Sequence, residues 1–381
     1  MDDHLISDFE TSAKTSRKRM LCFITIILIL CVVSTVFIIL YVTEKNKKEE
    51  KSSGPDSPVI TPLSLWNEGE PKQKLINFIQ TITKEGSSDF IKNEDRIAVF
   101  DLDGTLFQET DPVYTDYKLF KYKVLDDPNY KDKATEEQKA VANEIAEVMK
   151  TRVFPSGLDL RHAKANAQIF KDMTIDEVDK YTKDFLSQPA EGYNHLKRGD
   201  AFYKPMLEVI DYLQKNNFTV YIVSGSDRFT VRSIVDGHIN IPKTNIIGSE
   251  AKIIGSNQGD IDGFEYLFKA DEELIYKGEL VVKNLYMNKV YHIIREIGKI
   301  PILSFGNSSG DSSMANFVLS NKNKKSLAFM LLCDDLEREN GDEAKAGKMK
   351  QSCIENNWIP VSMKNDWKTI YGEDVTRKKN E

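Results

Sequence analysis

Two aspartates stand one residue apart in Asp101-Leu102-Asp103-Gly104-Thr105, directly after the apolar run Arg96-Ile97-Ala98-Val99-Phe100. A carboxylate at the end of a buried strand can attack phosphorus and form an acyl phosphate. Asp103, two residues on, points back over the same place, where it can protonate a leaving oxygen and later take the proton of an attacking water. Gly104 and Thr105 make the turn that follows.

Three further clusters have the residue types that such chemistry needs. Ser224-Gly225-Ser226 follows the run Phe218 to Val223 and offers a hydroxyl and backbone N–H groups, neutral donors that hold phosphate oxygens; Thr105 is grouped with Ser224 and Gly225 for that purpose. Lys289 opens a helical stretch ending at Gly298, a position from which an ammonium can neutralise aspartyl and phosphoryl charge together; Lys283 is its rival. Gly306-Asn307-Ser308-Ser309-Gly310-Asp311 follows the run Ile300 to Phe305 and supplies oxygen ligands, with Asn307 and Asp311 foremost, of the kind magnesium prefers. Each cluster also has a plain reading: Asp-x-Asp-Gly-Thr occurs in turns and calcium loops, a Ser-Gly pair commonly just turns the chain, and most helix lysines are solvated. The weight lies in the set.

The elements that must position these clusters are short β-branched runs alternating with helices. The runs ending at Asp101, Ser224, Gly306 and Cys333 are continuous and apolar, as buried parallel strands are. Pro205 to Asn216 reads as a helix with Met206, Leu207, Ile210 and Leu213 on one side, and a stretch opened by Pro71 carries Leu75, Ile76, Ile79 and Ile82. The pattern predicts a doubly wound α/β fold, in which ligands bind at the carboxyl edge of the sheet. About 90 residues from Asp111 to Gly199 interrupt it with helix signals, including capping boxes at Thr135 with Gln138 and Thr174 with Glu177. A second excursion, 250–283, reads as strand-rich or a hairpin.

In this order the four clusters closely resemble the four motifs of the haloacid dehalogenase superfamily, over Arg96 to Asp311 as motifs and Pro71 to Tyr371 as a domain. Within it the chain looks most like the phosphoserine phosphatase-like branch, whose helical cap is inserted just after the first motif. The resemblance implies a Rossmann-like core, with Asp101 as nucleophile and metal ligand, and with Asp103 as acid and base, its carbonyl on Mg2+. It further implies Ser224 on phosphate, Lys289 as the third-motif lysine, and the final cluster completing the metal site. Where many relatives have Asp after the last-motif glycine, this chain has Asn307, with Asp311 four residues later.

Asp103 favours a phosphatase over a dehalogenase, because expulsion of an alkoxide needs an acid. A cap beside the site favours a small phosphorylated substrate. A phosphotransferase on the same site, or a phosphoester-binding protein with impaired catalysis, are the alternatives. Arg228, Arg232, Asp334, Asp335, His162, Arg161 and Arg198 are lesser candidates, for each of which a structural role is expected.

A net charge of −7 with interspersed signs argues against a nucleic-acid partner. Leu21 to Val42 is a run of 22 uncharged, mostly apolar residues, long enough for a ~30 Å hydrocarbon core and too long for a cleaved signal peptide. The expected organisation is a tail over 1–20, a transmembrane helix over 21–42, a flexible linker over 43–70 and a phosphatase domain over 71–375. Basic residues flank both ends of the run; a short tail before one span and a large domain favours a signal anchor with the domain extracytoplasmic. Cys333 and Cys353 allow either one disulfide or two thiols.

Overall fold

The computed structural model describes residues 62–109 and 113–378, together with Ser34 and Thr43. Apart from Ser34, the expected membrane span at 21–42 lies outside the described residues, as does most of the linker; among those described, no helix is long and apolar enough to cross a membrane.

Nine strands are described: β1 Ile97–Phe100, β2 Tyr193–Asn194, β3 Thr219–Asp227, β4 Ile246–Gly255, β5 Leu274–Val282, β6 Leu303–Gly306, β7 Leu327–Leu332, β8 Ile359–Ser362 and β9 Thr376–Arg377. Seven form the central sheet in the order β5-β4-β3-β1-β6-β7-β8, parallel throughout except for the edge pair β4 and β5. The strand order reverses at β1, so the chain crosses the sheet in two directions from the strand that ends at Asp101. A crevice opens at the carboxyl ends of the strands at such a switch point. The fold is therefore α/β around a mostly parallel sheet.

All four residues of β1 are buried, because the strand has neighbours on both edges and layers on both faces. Phe100, Phe305 and Phe329 occupy paired positions on β1, β6 and β7, and their rings stack at 4.4 and 4.8 Å. Phe100 is the last residue of β1 and Phe305 the last but one of β6, so the stack fixes the level at which the loops after these two strands leave the sheet.

The insertion after β1 is helical: α2 Thr115–Lys121, α3 Glu136–Thr151, α4 Leu158–Ile169 and α5 Ile175–Leu186, following α1 Glu70–Thr83 in the core. Both capping boxes are formed, with Thr135 accepting from the Gln138 N–H and Thr174 from the Glu177 N–H. The excursion over 250–283 completes β4, turns, and returns as the antiparallel β5.

The tether expected over 43–70 ends sooner than the sequence suggests, because residues 62–69 are part of the domain. Trp66 is buried against Trp367 with ring centroids 6.0 Å apart, and its indole N–H donates to the Pro205 carbonyl at 3.0 Å. The Asn67 and Lys368 N–H groups cross-bond this segment to the C-terminal one. Trp66→Ala should therefore cost about 3–5 kcal/mol, as large aromatic truncations in cores do, read as a fall in the urea midpoint; a surface tether would show no change.

Candidate active site

The loop after β1 is wound by its own backbone. The N–H groups of Thr105, Leu106 and Phe107 all donate to the Leu102 carbonyl, and the Gly104 N–H donates to that of Phe107 at 2.6 Å. Gly104 has φ +81°, and a methyl built on it would fall 2.0 Å from the Asn307 side-chain nitrogen, so both backbone angle and space require glycine here. Asp101 and Asp103 emerge from this turn buried at 6% and 8% exposure.

Lys289 lies on α8 Met287–Ile297 and is fully buried. Its Nζ donates to Asp101 Oδ1 at 2.6 Å and to Asp311 Oδ1 at 2.6 Å. Of the two lysines considered from the sequence, it is Lys289 whose ammonium reaches Asp101; Lys283 lines the cavity farther out, beside Asp116. Burial, and then the charge of Asp311, push the Asp101 carboxyl upward, while Lys289 opposes both. Burial acts to lower the Lys289 ammonium, but the two carboxylates outweigh it and hold it charged. Both directions express one imbalance: two buried carboxylates share one ammonium.

Asp311 is anchored at both oxygens. Its Oδ1 accepts from Lys289, and its Oδ2 accepts from the Asn307 N–H, the Ser308 N–H and the Ser308 hydroxyl at 3.0–3.1 Å. These bonds tie it to the lysine and to its own loop, beside the position expected for the ion. Asn307 does face the cavity, with its side chain against Gly104 and its Oδ1 3.5 Å from the Thr105 hydroxyl.

The second cluster also divides its labour. Ser224 is fully buried and accepts at Oγ from the Ser226 N–H at 3.1 Å; neither it nor Thr105 lines the cavity. Gly225 and Ser226 do, and the Ser226 hydroxyl donates to Asp103 Oδ2 at 2.8 Å. Asp103 Oδ1 is buried without a hydrogen-bond partner. Burial, then the charges of Asp116 and Asp101, push the Asp103 carboxyl well up, which favours the protonated form that a general acid needs.

These groups face a cavity of about 510 Å³ lined on its other sides by residues of the insertion and of α10 Glu343–Asn356; α6 Lys204–Lys215, α7 Arg228–Val235 and α9 Ser312–Leu319 are the other helices of the core. Tyr114, Tyr117 and Phe154 form an aromatic wall, their ring centroids 5.3–6.4 Å apart. The sequence reading missed Glu109, which is buried, accepts from the Tyr114 hydroxyl at 3.1 Å and pairs with Lys345 at 2.6 Å. An ionisable residue just past the apolar pair Leu106-Phe107, eight positions beyond Asp101, was the available signal.

The lesser candidates lie elsewhere. Arg228 pairs with Glu250 and Glu296, Arg232 donates to the Lys243 carbonyl, Arg161 pairs with Glu144 and Arg198 with Glu191. Asp334 binds the Ser362 hydroxyl, and Asp335 pairs with Arg338. Cys333 and Cys353 are not joined in a disulfide.

Among the described residues no group of three His, Cys, Asp or Glu is placed to hold a metal. A donor set for a hard cation would have to combine the Asp101 carboxylate with two other oxygens, the Asp103 carbonyl and the Asn307 amide. The residues fit such an ion on charge, since the buried carboxylates of Asp101 and Asp311 share the one ammonium of Lys289, and one buried Asp103 oxygen lacks a partner.

A family model described as haloacid dehalogenase-like hydrolase matches residues 96–264. No curated protein matches the chain. Similar solved structures include a conserved functionally unknown protein from Anaerococcus prevotii DSM 20548, at 14% identity over 80% of this chain and 94% of that one, TM-score 0.48. Another is a cytosolic 5'-nucleotidase IIIB bound to cytidine, at 13% identity over 81% and 90%, TM-score 0.45. A phosphoserine phosphohydrolase-like protein from Francisella tularensis subsp. tularensis SCHU S4 is 12% identical over 67% and 92%, TM-score 0.36.

His162 and His292 give the site's surroundings a pH dependence. His162 is buried against Tyr117 and Phe120 with both ring nitrogens unpartnered; His292 is buried beside Asn284. Burial lowers both, with Lys283 facing His162 and the Glu250, Arg295, Glu296 and Arg228 charges facing His292. Each is neutral in the fold and takes up a proton near pH ~6.5 once unfolded, so their stabilisation is present above that pH and is lost as pH falls below it. Urea midpoints at pH 5 and pH 7.5 should therefore show His162→Phe gaining on the unaltered protein at the lower pH.

Proposed function

Residues 96–264 of this chain are a haloacid dehalogenase-like hydrolase domain, and from that premise we propose that the protein is a magnesium-dependent phosphatase of small phosphomonoesters, working through an aspartyl phosphate and anchored to a membrane by residues 21–42. The observation that carries the catalytic part is the buried bridge from Lys289 to Asp101, set at the floor of a cavity that also receives Asp103, Ser226 and Asn307.

In the first step an Asp101 carboxylate oxygen bonds to phosphorus, the bond from phosphorus to the ester oxygen breaks, and Asp103 gives its proton to the departing alkoxide. In the second, Asp103 as carboxylate takes a proton from water, the water oxygen bonds to phosphorus, and the acyl phosphate opens to free phosphate and Asp101. Lys289 offsets the negative charge that builds up in both steps. Ser226 keeps the Asp103 carboxyl aimed through its hydrogen bond, and Gly225 offers a bare backbone to phosphate oxygens. Magnesium, held by Asp101, the Asp103 carbonyl and Asn307, would supply positive charge beside the phosphoryl group.

The cavity supports a small substrate. Its aromatic wall and the Glu109–Lys345 pair enclose room for a leaving group of metabolite size, and the insertion above it keeps bulk water and polymers from the reacting phosphorus.

Asp101→Asn should reduce magnesium-dependent phosphate release from an aryl phosphate to background, and Asp103→Asn should lower it about 10²–10⁴-fold, both with unchanged circular dichroism; turnover equal to the unaltered protein in either would refute the mechanism. For the anchor, the whole domain should sediment with membranes, and protease added to intact cells should remove it. Sedimentation with soluble proteins, or full protection from protease, would overturn the anchor or its orientation respectively.

A further inference from the structure

Between β5 and α8 lies the short segment Lys283-Asn284-Leu285-Tyr286, whose last three residues have no part in the steps above. Its contacts run to both loops that flank Asp101. On one side, Asn284 is fully buried; its Nδ2 donates to the Ser224 carbonyl at 2.9 Å, and its N–H donates to the Ser249 hydroxyl at 2.9 Å. That hydroxyl in turn donates to the Gly225 carbonyl at 2.6 Å. On the other side, the Tyr286 N–H donates to the Gly310 carbonyl at 2.9 Å.

Leu285 fills the interval. A methyl built on Gly225 would lie 2.7 Å from Leu285 Cδ2, and one built on Gly310 would lie 3.0 Å from the same atom. One leucine methyl thus rests against a glycine of each loop. Tyr286 holds φ 53° and ψ −124°, outside the regions open to a residue with a Cβ unless its surroundings impose them. Its surroundings do: the N–H is fixed to Gly310, and the next residue begins the helix of Lys289.

We propose that Asn284, Leu285 and Tyr286 form a tie that sets the separation between the 224–226 loop and the 306–311 loop, and that they are positioning residues for the phosphoryl site. The inference rests on the phosphatase reading, because the two loops are the ones assigned there to phosphate and metal. Three carbonyls, those of Ser224, Gly225 and Gly310, are bound by one segment, directly or through Ser249. Neither loop can move outward without breaking a buried hydrogen bond or opening a gap at Leu285. A displacement on the scale of one ångström is enough to cost a phosphoryl site most of its rate.

The test reads binding as well as turnover. Tungstate, a phosphate mimic, is titrated calorimetrically into the full chain with magnesium present. Leu285→Ala, which leaves a gap between the two glycines, should weaken tungstate about tenfold and lower kcat/KM at least as much; Leu285→Met, of similar volume, should restore both to within about threefold. Tyr286→Gly relaxes an unfavourable backbone, so its thermal midpoint should hold or rise while tungstate affinity and kcat/KM still fall. A purely structural role would move stability and activity together. Leu285→Ala and Tyr286→Gly binding tungstate within about twofold of the unaltered protein would overturn the tie, and Tyr286→Gly decides the matter if Leu285→Ala does not fold. An unaltered protein that binds tungstate yet hydrolyses no phosphoester overturns the phosphatase reading while the binding comparison still judges the tie; one that binds no tungstate overturns both.

Discussion

A lysine ammonium buried between two carboxylates is the constraint from which the rest of this site follows. Lys289 has no solvent to fall back on, and its two short contacts to Asp101 and Asp311 are what keep it charged there. Removing one partner from a buried pair leaves an uncompensated charge and typically costs ~3–5 kcal/mol, so the lysine is pinned by both carboxylates and each carboxylate by the lysine. Asp101 belongs to the loop after β1, Asp311 to the loop after β6, and Lys289 to the helix between them in sequence. The triad therefore joins three separate pieces of chain at one point. The same charges act on Asp101, whose carboxyl burial and Asp311 raise to about 7 against the opposing pull of the ammonium beside it.

Such a triad needs a frame that delivers its members to within tenths of an ångström. Parallel strands do this by ending together. The stacked rings of Phe100, Phe305 and Phe329 align three adjacent strands in register, and the residues following the first two are Asp101 and Gly306. Asp311 then turns its second carboxylate oxygen onto three donors of Asn307 and Ser308, which shapes the loop and leaves the Asn307 side chain facing the cavity. The residue is structural at one oxygen and electrostatic at the other.

Much of this was legible in the sequence because it depends on local pattern. The apolar β-branched runs before Asp101 and Gly306 define buried strands whatever surrounds them, and clusters at strand ends must meet at one sheet edge. Lys289 was legible as a cation before the right strand, although only the fold separates it from Lys283. What was not legible depends on tertiary hydrogen bonding. Asp311 also accepts from Lys289 and from its own loop, and Ser224 from the Ser226 N–H, bonds that residue type and spacing do not encode. Trp66 was hidden among tether-like residues because its partners, Trp367 and the Pro205 carbonyl, lie more than a hundred positions away.

The insertion and the hairpin, read from sequence as two separate interruptions, act as one body. The Asp172 N–H donates to the Tyr276 carbonyl and the Tyr276 N–H to the Met173 carbonyl, so β5 continues into the insertion by backbone pairing. Tyr276 also donates its hydroxyl to Asp227, which caps α7 just past the 224–226 loop. On the α10 side, the hydrogen bonds from the 152–154 loop to the core are fewer: the Arg152 guanidinium donates to the Gly341 carbonyl at 3.2 Å, beside Phe154 at the cavity wall. Two backbone pairs resist separation more than one partly buried side-chain bond does. The cavity is thus bounded on one side by a wall continuous with the sheet and on the other by a segment that a single side-chain hydrogen bond joins to the core.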